Sequence, residues 1–71
     1  DPKTQLQEYS LKKFKKLPIY TLVSAKGPKH NPTFKISASL YKSKKSLGIG
    51  NSKKDAEQNA ALKLLKEEKI T

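Results

Sequence analysis

Residues 33 to 40 (TFKISASL) alternate apolar and polar side chains without a break, the tightest constraint on how this chain can fold. Successive strand residues point to opposite faces, so Phe34, Ile36, Ala38 and Leu40 share one side and Thr33, Lys35, Ser37 and Ser39 the other. The pattern predicts a half-buried antiparallel strand with one face on a core and one in water. Other segments must cover the apolar face.

Two segments have the helical spacing to do so. Asp1 can cap free amides and Pro2 suits a first helical position, where its missing N–H costs nothing, so a helix is expected from there to about Lys16. At ~100° per residue, Leu6, Tyr9 and Ser10 cluster with the aliphatic stem of Lys13 on one side, while Thr4, Gln7, Glu8 and Leu11 fall on another. Leu17-Pro18 should end it, because a residue before proline is pushed out of the helical region. The second helix opens at Ser52, with Asp55 three residues on as a capping box, and Ala56, Ala60, Ala61, Leu64 and Leu65 supply its apolar face.

Between the helices, Ile19 to Ala25 is rich in β-branched and aromatic residues and reads as a strand, followed by the turn formers Gly27-Pro28-Lys29-His30-Asn31-Pro32. Residues 42 to 45 (KSKK) form a polar turn, and Ser46 to Gly50 a short third strand whose glycines imply a bulge or a close backbone approach. The expected fold is therefore α+β, in the order α-β-β-β-α, with both helices on one face of a three-stranded antiparallel sheet. No repeat or long linker divides it, and residues 1–71 are expected to be one domain.

Cysteine is absent, which excludes disulfides, thiol catalysis and the usual structural zinc sites, so the core must rest on packing. No apolar run approaches the ~18 to 20 residues of a membrane span and no secretory leader opens the chain, giving the expectation of a soluble, cytoplasmic protein. The lack of methionine suggests a piece of a longer chain. All 16 basic residues are lysine against 6 acids, a net charge of +10 spread from Lys3 to Lys69. A folded domain with a charged face and a polyanionic partner fits this distribution.

Lys53-Lys54, directly after the cap Ser52, break a local rule. Cations at a helix N-terminus oppose the helix dipole, at roughly 0.3 to 1 kcal/mol each. Free amides beside two ammonium groups make a site for one or two phosphates; the alternative is a solvated lysine pair tolerated at small cost.

The run GIGNSKKDAEQNAA, from Gly48 to Ala61, resembles the signature of double-stranded-RNA-binding domains, in which glycine, serine, two lysines and paired alanines open the last helix. Glu57-Gln58 narrows the resemblance to the C-terminal domain of bacterial ribonuclease III, as do the opening DPKTQLQEY, the Pro18-Ile19-Tyr20 lead-in and Gly27-Pro28-Lys29-His30. It covers nearly the whole chain.

The resemblance implies three RNA-contacting regions: Thr4, Gln7, Glu8 and Leu11 in one minor groove; Pro28, Lys29 and His30 in the next; Ser52, Lys53 and Lys54 on the major-groove phosphates between. A-form RNA offers 2′-hydroxyls in a wide, shallow minor groove, which hydroxyl, amide and carboxylate groups can bind. Glu8 has two readings, acceptor for a 2′-OH or exposed partner of Lys12 at i,i+4. Leu11 departs from the family, where glutamine is common. His30, alone, would read as an idle loop residue; within Gly-Pro-Lys-His it joins the minor-groove loop. Lys42, Lys44 and Lys45 read as a general contribution to the field.

Catalytic residues, metal ligands and cofactors are expected to be absent, because the acids are scattered and His30 has no sequence neighbour to form a nucleophile–base pair. The resemblance implies a parent endoribonuclease that processes rRNA and mRNA, holds Mg2+ in an upstream catalytic domain and dimerises through it. Two alternatives stand beside it: the double-stranded-RNA-binding module of a regulatory or ribosomal protein, and a basic amphipathic protein on anionic lipid, which leaves the alternating strand and glycine-serine-lysine cap unexplained. No membrane partner is expected under the leading reading.

Overall fold

Phe34, Ile36, Ala38 and Leu40 do share one face, and both helices lie over it. In a computed structural model describing residues 1–70, the chain runs α1 (Pro2–Phe14), β1 (Ile19–Lys26), β2 (Thr33–Ser39), β3 (Ser46–Gly50) and α2 (Lys53–Glu67). The sheet is antiparallel in the order β1-β2-β3. The central core joins Leu6 of α1, Ala38 and Leu40, and Ala60, Ala61, Leu64 and Leu65 of α2, with Tyr9, Phe14, Tyr20 and Ile70 packed at its margin.

Small residues let α2 approach the sheet. Gly48 pairs with Ile36 and Gly50 with Phe34, both beneath α2. A Cβ on Gly48 would lie 2.1 Å from the Ala60 amide nitrogen and 2.4 Å from the Ala56 carbonyl oxygen, which only a bare backbone avoids. Of the two roles open to the β3 glycines, close approach is the one observed. The bulge sits in β1 instead, where Val23 is the extra residue between the Leu22–Ile36 and Ser24–Lys35 pairs.

Three expectations need correction. The first helix stops at Phe14, before Lys16, because Lys15 turns left-handed (φ 60°) while its amide still reaches the Leu11 carbonyl, and the buried Ser10 hydroxyl donates to the Lys16 carbonyl at 2.5 Å. The polar face of β2 is not open to water throughout: Ser37 and Ser39 are 4% and 9% exposed. Ser37 lies in register between Thr21 and Leu47, and Ser39 beside Ile19, so longer edge-strand residues flank these short side chains. The capping box is half formed. Ser52 Oγ accepts from the Asp55 amide at 3.0 Å, but among the described residues the Asp55 carboxylate returns no bond to the Ser52 amide.

Candidate nucleic-acid interface

The start of α2 is where the three expected regions are joined. Ser52 is the N-cap in extended conformation (φ −138°, ψ 161°), which leaves Lys53 and Lys54 as the first two helical residues. Both are exposed, and neither has an ion-pair or hydrogen-bond partner among the described residues. The dipole conflict legible in the sequence is therefore present, offset in part by the Asp55 carboxylate in the same first turn, which bonds neither lysine.

Thr4, Gln7, Glu8 and Leu11 are all exposed on α1, while Leu6 and Ser10 are fully buried. The two-faced helix follows from 3.6-residue spacing. Asp1 caps it, its Oδ1 accepting from the Thr4 amide at 2.8 Å. Glu8 makes no ion pair with Lys12, so the i,i+4 reading of Glu8 has no support among the described residues. Lys13 turns its ammonium to the Tyr9 hydroxyl at 2.9 Å, a contact that raises the lysine's pKa.

Gly27 starts the β1–β2 loop at φ +91°, a conformation that favours glycine. The Asn31 amide then donates to the Pro28 carbonyl at 3.0 Å, closing a turn with Lys29 and His30 at its tip. Both are exposed. The loop is tied to the approach to α2 by Asn51, whose amide nitrogen donates to the Pro32 carbonyl at 3.0 Å and lies 3.4 Å from Asn31 Oδ1.

The first turn of α1 is tied to the same helix. Lys3 Nζ lies 2.7 Å from Glu57 Oε1, and the Lys3 amide donates to Gln58 Oε1 at 3.1 Å. The ammonium also sits 5.2 Å from the centroid of the Tyr20 ring. The Tyr20 hydroxyl is buried without a hydrogen-bond partner, and burial, helped by the nearby Glu57 charge, pushes its pKa up to about 12.

Asn51, Lys3 and Gln58 carry these ties, and sequence reasoning did not assign them that role. Nothing local marks them: each acts on a residue distant in the chain. Lys42, Lys44 and Lys45 lie elsewhere, in a cleft with Glu67 and Glu68 at the C-terminal end of α2. A 15-residue helix puts that end ~22 Å from Ser52. Among the described residues no three His, Cys, Asp or Glu side chains gather, and no helix is long and apolar enough to cross a membrane.

Comparison with known proteins agrees with this architecture. Ribonuclease 3 of Pelagibacter ubique (strain HTCC1062) is 61% identical over 61 residues, 86% of this chain and 28% of the relative. Ribonuclease 3 of Anaplasma marginale (strain Florida) is 48% identical over 71 residues, 100% of this chain and 30% of the relative. The chain thus spans less than a third of the length of these curated relatives. The solution structure of DRB4 dsRBD2 superposes with a TM-score of 0.68 at 32% identity, covering 100% of this chain and 99% of that one. A family model described as "Double-stranded RNA binding motif" matches residues 2–68, and the chain belongs to that family.

Proposed function

We propose that the chain binds double-stranded RNA by shape and phosphate charge, as the RNA-holding part of a ribonuclease III-like endoribonuclease. The observation that carries this reading is the convergence on the start of α2. Asn51 holds the Lys29-His30 turn, Lys3 and Gln58 hold the first turn of α1, and Lys53 and Lys54, exposed and without a bonded partner among the described residues, open α2.

In this reading the exposed face of α1 (Thr4, Gln7, Glu8, Leu11) enters one minor groove and Pro28, Lys29 and His30 the next, with Ser52, Lys53 and Lys54 on the intervening phosphates. The hydroxyl, amide and carboxylate groups of α1 exchange hydrogen bonds with 2′-hydroxyls, which distinguish RNA from DNA. Leu11, 40% exposed, supplies an apolar contact where a polar one is usual in the family.

Hydrolysis belongs to a segment of the parent outside these residues, where magnesium would activate water. The acids of this chain do not fit such a centre: Glu57 is held by Lys3, Glu67 accepts from the Ser46 hydroxyl, and Asp55 lies in the capped first turn of α2. Dimerisation through that catalytic segment, cytoplasmic residence and action on rRNA and mRNA complete the proposal. The identity to enzymes named ribonuclease 3, up to 61%, favours this parent over a regulatory or ribosomal one.

The test is a salt-matched titration of the chain with an RNA duplex, a DNA duplex of the same sequence and single-stranded RNA, each with magnesium present. The RNA duplex should bind tightest, need ~16 base pairs for full affinity and remain uncut. Equal affinity for the two duplexes would refute RNA-shape reading, and metal-dependent cleavage copurifying with the chain would refute the non-catalytic assignment.

A further inference from the structure

Apolar packing holds α1 against the rest of the molecule but does not fix its slide or rotation, because hydrophobic contact is non-directional. Leu6 is fully buried and Tyr9 and Phe14 pack on the core, with the Phe14 ring centroid 6.0 Å from that of Tyr41, contacts whose directional preference is far weaker than a hydrogen bond's. The hydrogen bonds that tie α1 to α2 are concentrated at one residue. Lys3 bonds Glu57 through its ammonium and Gln58 through its amide, and stands over the Tyr20 ring. Among the described residues no other hydrogen bond joins α1 to α2 or to the sheet.

The position of this clasp gives it a consequence beyond stability. Thr4, the next residue, begins the exposed face of α1, and Glu57 lies one helical turn beyond Lys53. The clasp therefore fixes the distance between the two surfaces that would meet successive grooves. The sequence segments DPKTQLQEY and Ala56-Glu57-Gln58, far apart in the chain, meet at this point.

We propose that Lys3, Glu57 and Gln58 are positioning residues that hold α1 and the N-terminus of α2 at the spacing of an A-form duplex, and so set the preference for RNA over DNA. This rests on the interface proposed above. The three residues act through Thr4, Gln7 and Glu8 on one side and Lys53 and Lys54 on the other. A- and B-form grooves differ in width and depth, so a rigid pair of contacts discriminates between them. A loosened pair adapts to either. Phosphate attraction through Lys53 and Lys54 is unaffected by the clasp, so its loss should degrade discrimination rather than the electrostatic part of binding.

Three variants test this in the 71-residue chain. Gln58→Leu removes the acceptor at similar size without changing charge. Lys3→Glu breaks the ion pair, and Lys3→Glu with Glu57→Lys restores it in reversed order. Affinity for RNA and DNA duplexes of one sequence is measured at matched salt, together with the salt slope and melting temperature. The RNA-over-DNA ratio should fall about tenfold in each single variant, the factor expected for one lost partly buried polar contact. The salt slope of Gln58→Leu should match the parent's, and the reversed pair should recover most of the ratio.

Single variants that stay folded and keep the parent's ratio would overturn the proposal. So would a reversed pair that recovers melting temperature without recovering the ratio, because the clasp would then be merely structural. If Lys3→Glu does not fold, Glu57→Gln, which keeps an acceptor but removes the charge, takes its place in the same comparison. A parent chain with no RNA preference fails the interface reading itself, whereas a parent with the preference and variants that keep it fail the clasp alone.

Discussion

The Asn51 side-chain amide donates to the Pro32 carbonyl at 3.0 Å, tying the end of the β1–β2 loop to the residue before the α2 cap. Both groups are solvent-accessible neighbours of an exposed turn, so the bond contributes little to global stability, about 0.5 to 1.5 kcal/mol. Its effect is to aim Lys29 and His30.

Asn51→Ala should therefore melt within a few degrees of the parent and lose RNA affinity only where the loop is used. Duplexes of ~16 base pairs, long enough to offer a second minor groove, should bind several-fold more weakly, whereas ~8-base-pair duplexes should bind as they do to the parent. A length series in a fluorescence titration reads this directly. An equal loss at every length would assign Asn51 to the phosphates instead of the loop.

Gly48→Ala should abolish folding or come close to it. The added methyl would stand 2.1 Å from the Ala60 nitrogen and 2.6 Å from its Cα, both backbone atoms of a buried helix that cannot move aside singly. Forcing α2 off the sheet separates Ala56 and Ala60 from β3, and overpacking of this kind costs about 3 kcal/mol or more. Urea denaturation measures it; a variant within 1 kcal/mol of the parent would mean that α2 is not seated as described.

Tyr20 gives a pH signature. Its folded-state pKa is raised from 10.0 to about 12, chiefly by burial and also by the Glu57 charge. The neutral phenol is thus favoured in the folded state, and its contribution is fully present below pH 10 and lost as pH climbs toward 12. Tyr20→Phe should remove that part of the alkaline decline while leaving neutral-pH stability the same or higher, since the hydroxyl it deletes has no partner. Melting curves of both proteins between these pH values isolate the Tyr20 contribution, since every other group is common to the two.

Local periodicity made the framework legible, and contacts between distant residues account for what it missed. Ala56, Ala60, Ala61, Leu64 and Leu65 lie at helical spacing, and all are buried. The end of α1 was harder to read, because no glycine marks it. A lysine takes the left-handed position, and the restraint comes from a serine five residues earlier in the chain. Ser37 and Ser39 read as solvent-facing because alternation carries no account of which strand is central. The exposed face of α1 and Lys53-Lys54 at the start of α2 were visible as positions, whereas Asn51 and the Lys3 clasp depend on pairings that a single sequence does not display.

Lys53 and Lys54 bear most directly on the proposed interface. They occupy the first two positions of α2, beside amides that Ser52 only partly satisfies, with no acid bonded to either among the described residues. If each neutralises a backbone phosphate, alanine at either position should weaken binding about equally across RNA sequences and flatten the log-affinity against log-salt slope by roughly one unit. Stability should move the other way or not at all, because removing a cation from the positive end of a helix relieves a dipole penalty of about 0.3 to 1 kcal/mol. The two measurements discriminate together: a structural lysine would lose stability along with binding, and an idle one would lose neither. A Lys53→Ala, Lys54→Ala double variant that melts normally and keeps the parent's affinity and salt slope would remove the phosphate contact from the proposed interface, leaving α1 and the Lys29-His30 turn to account for any RNA binding that remains.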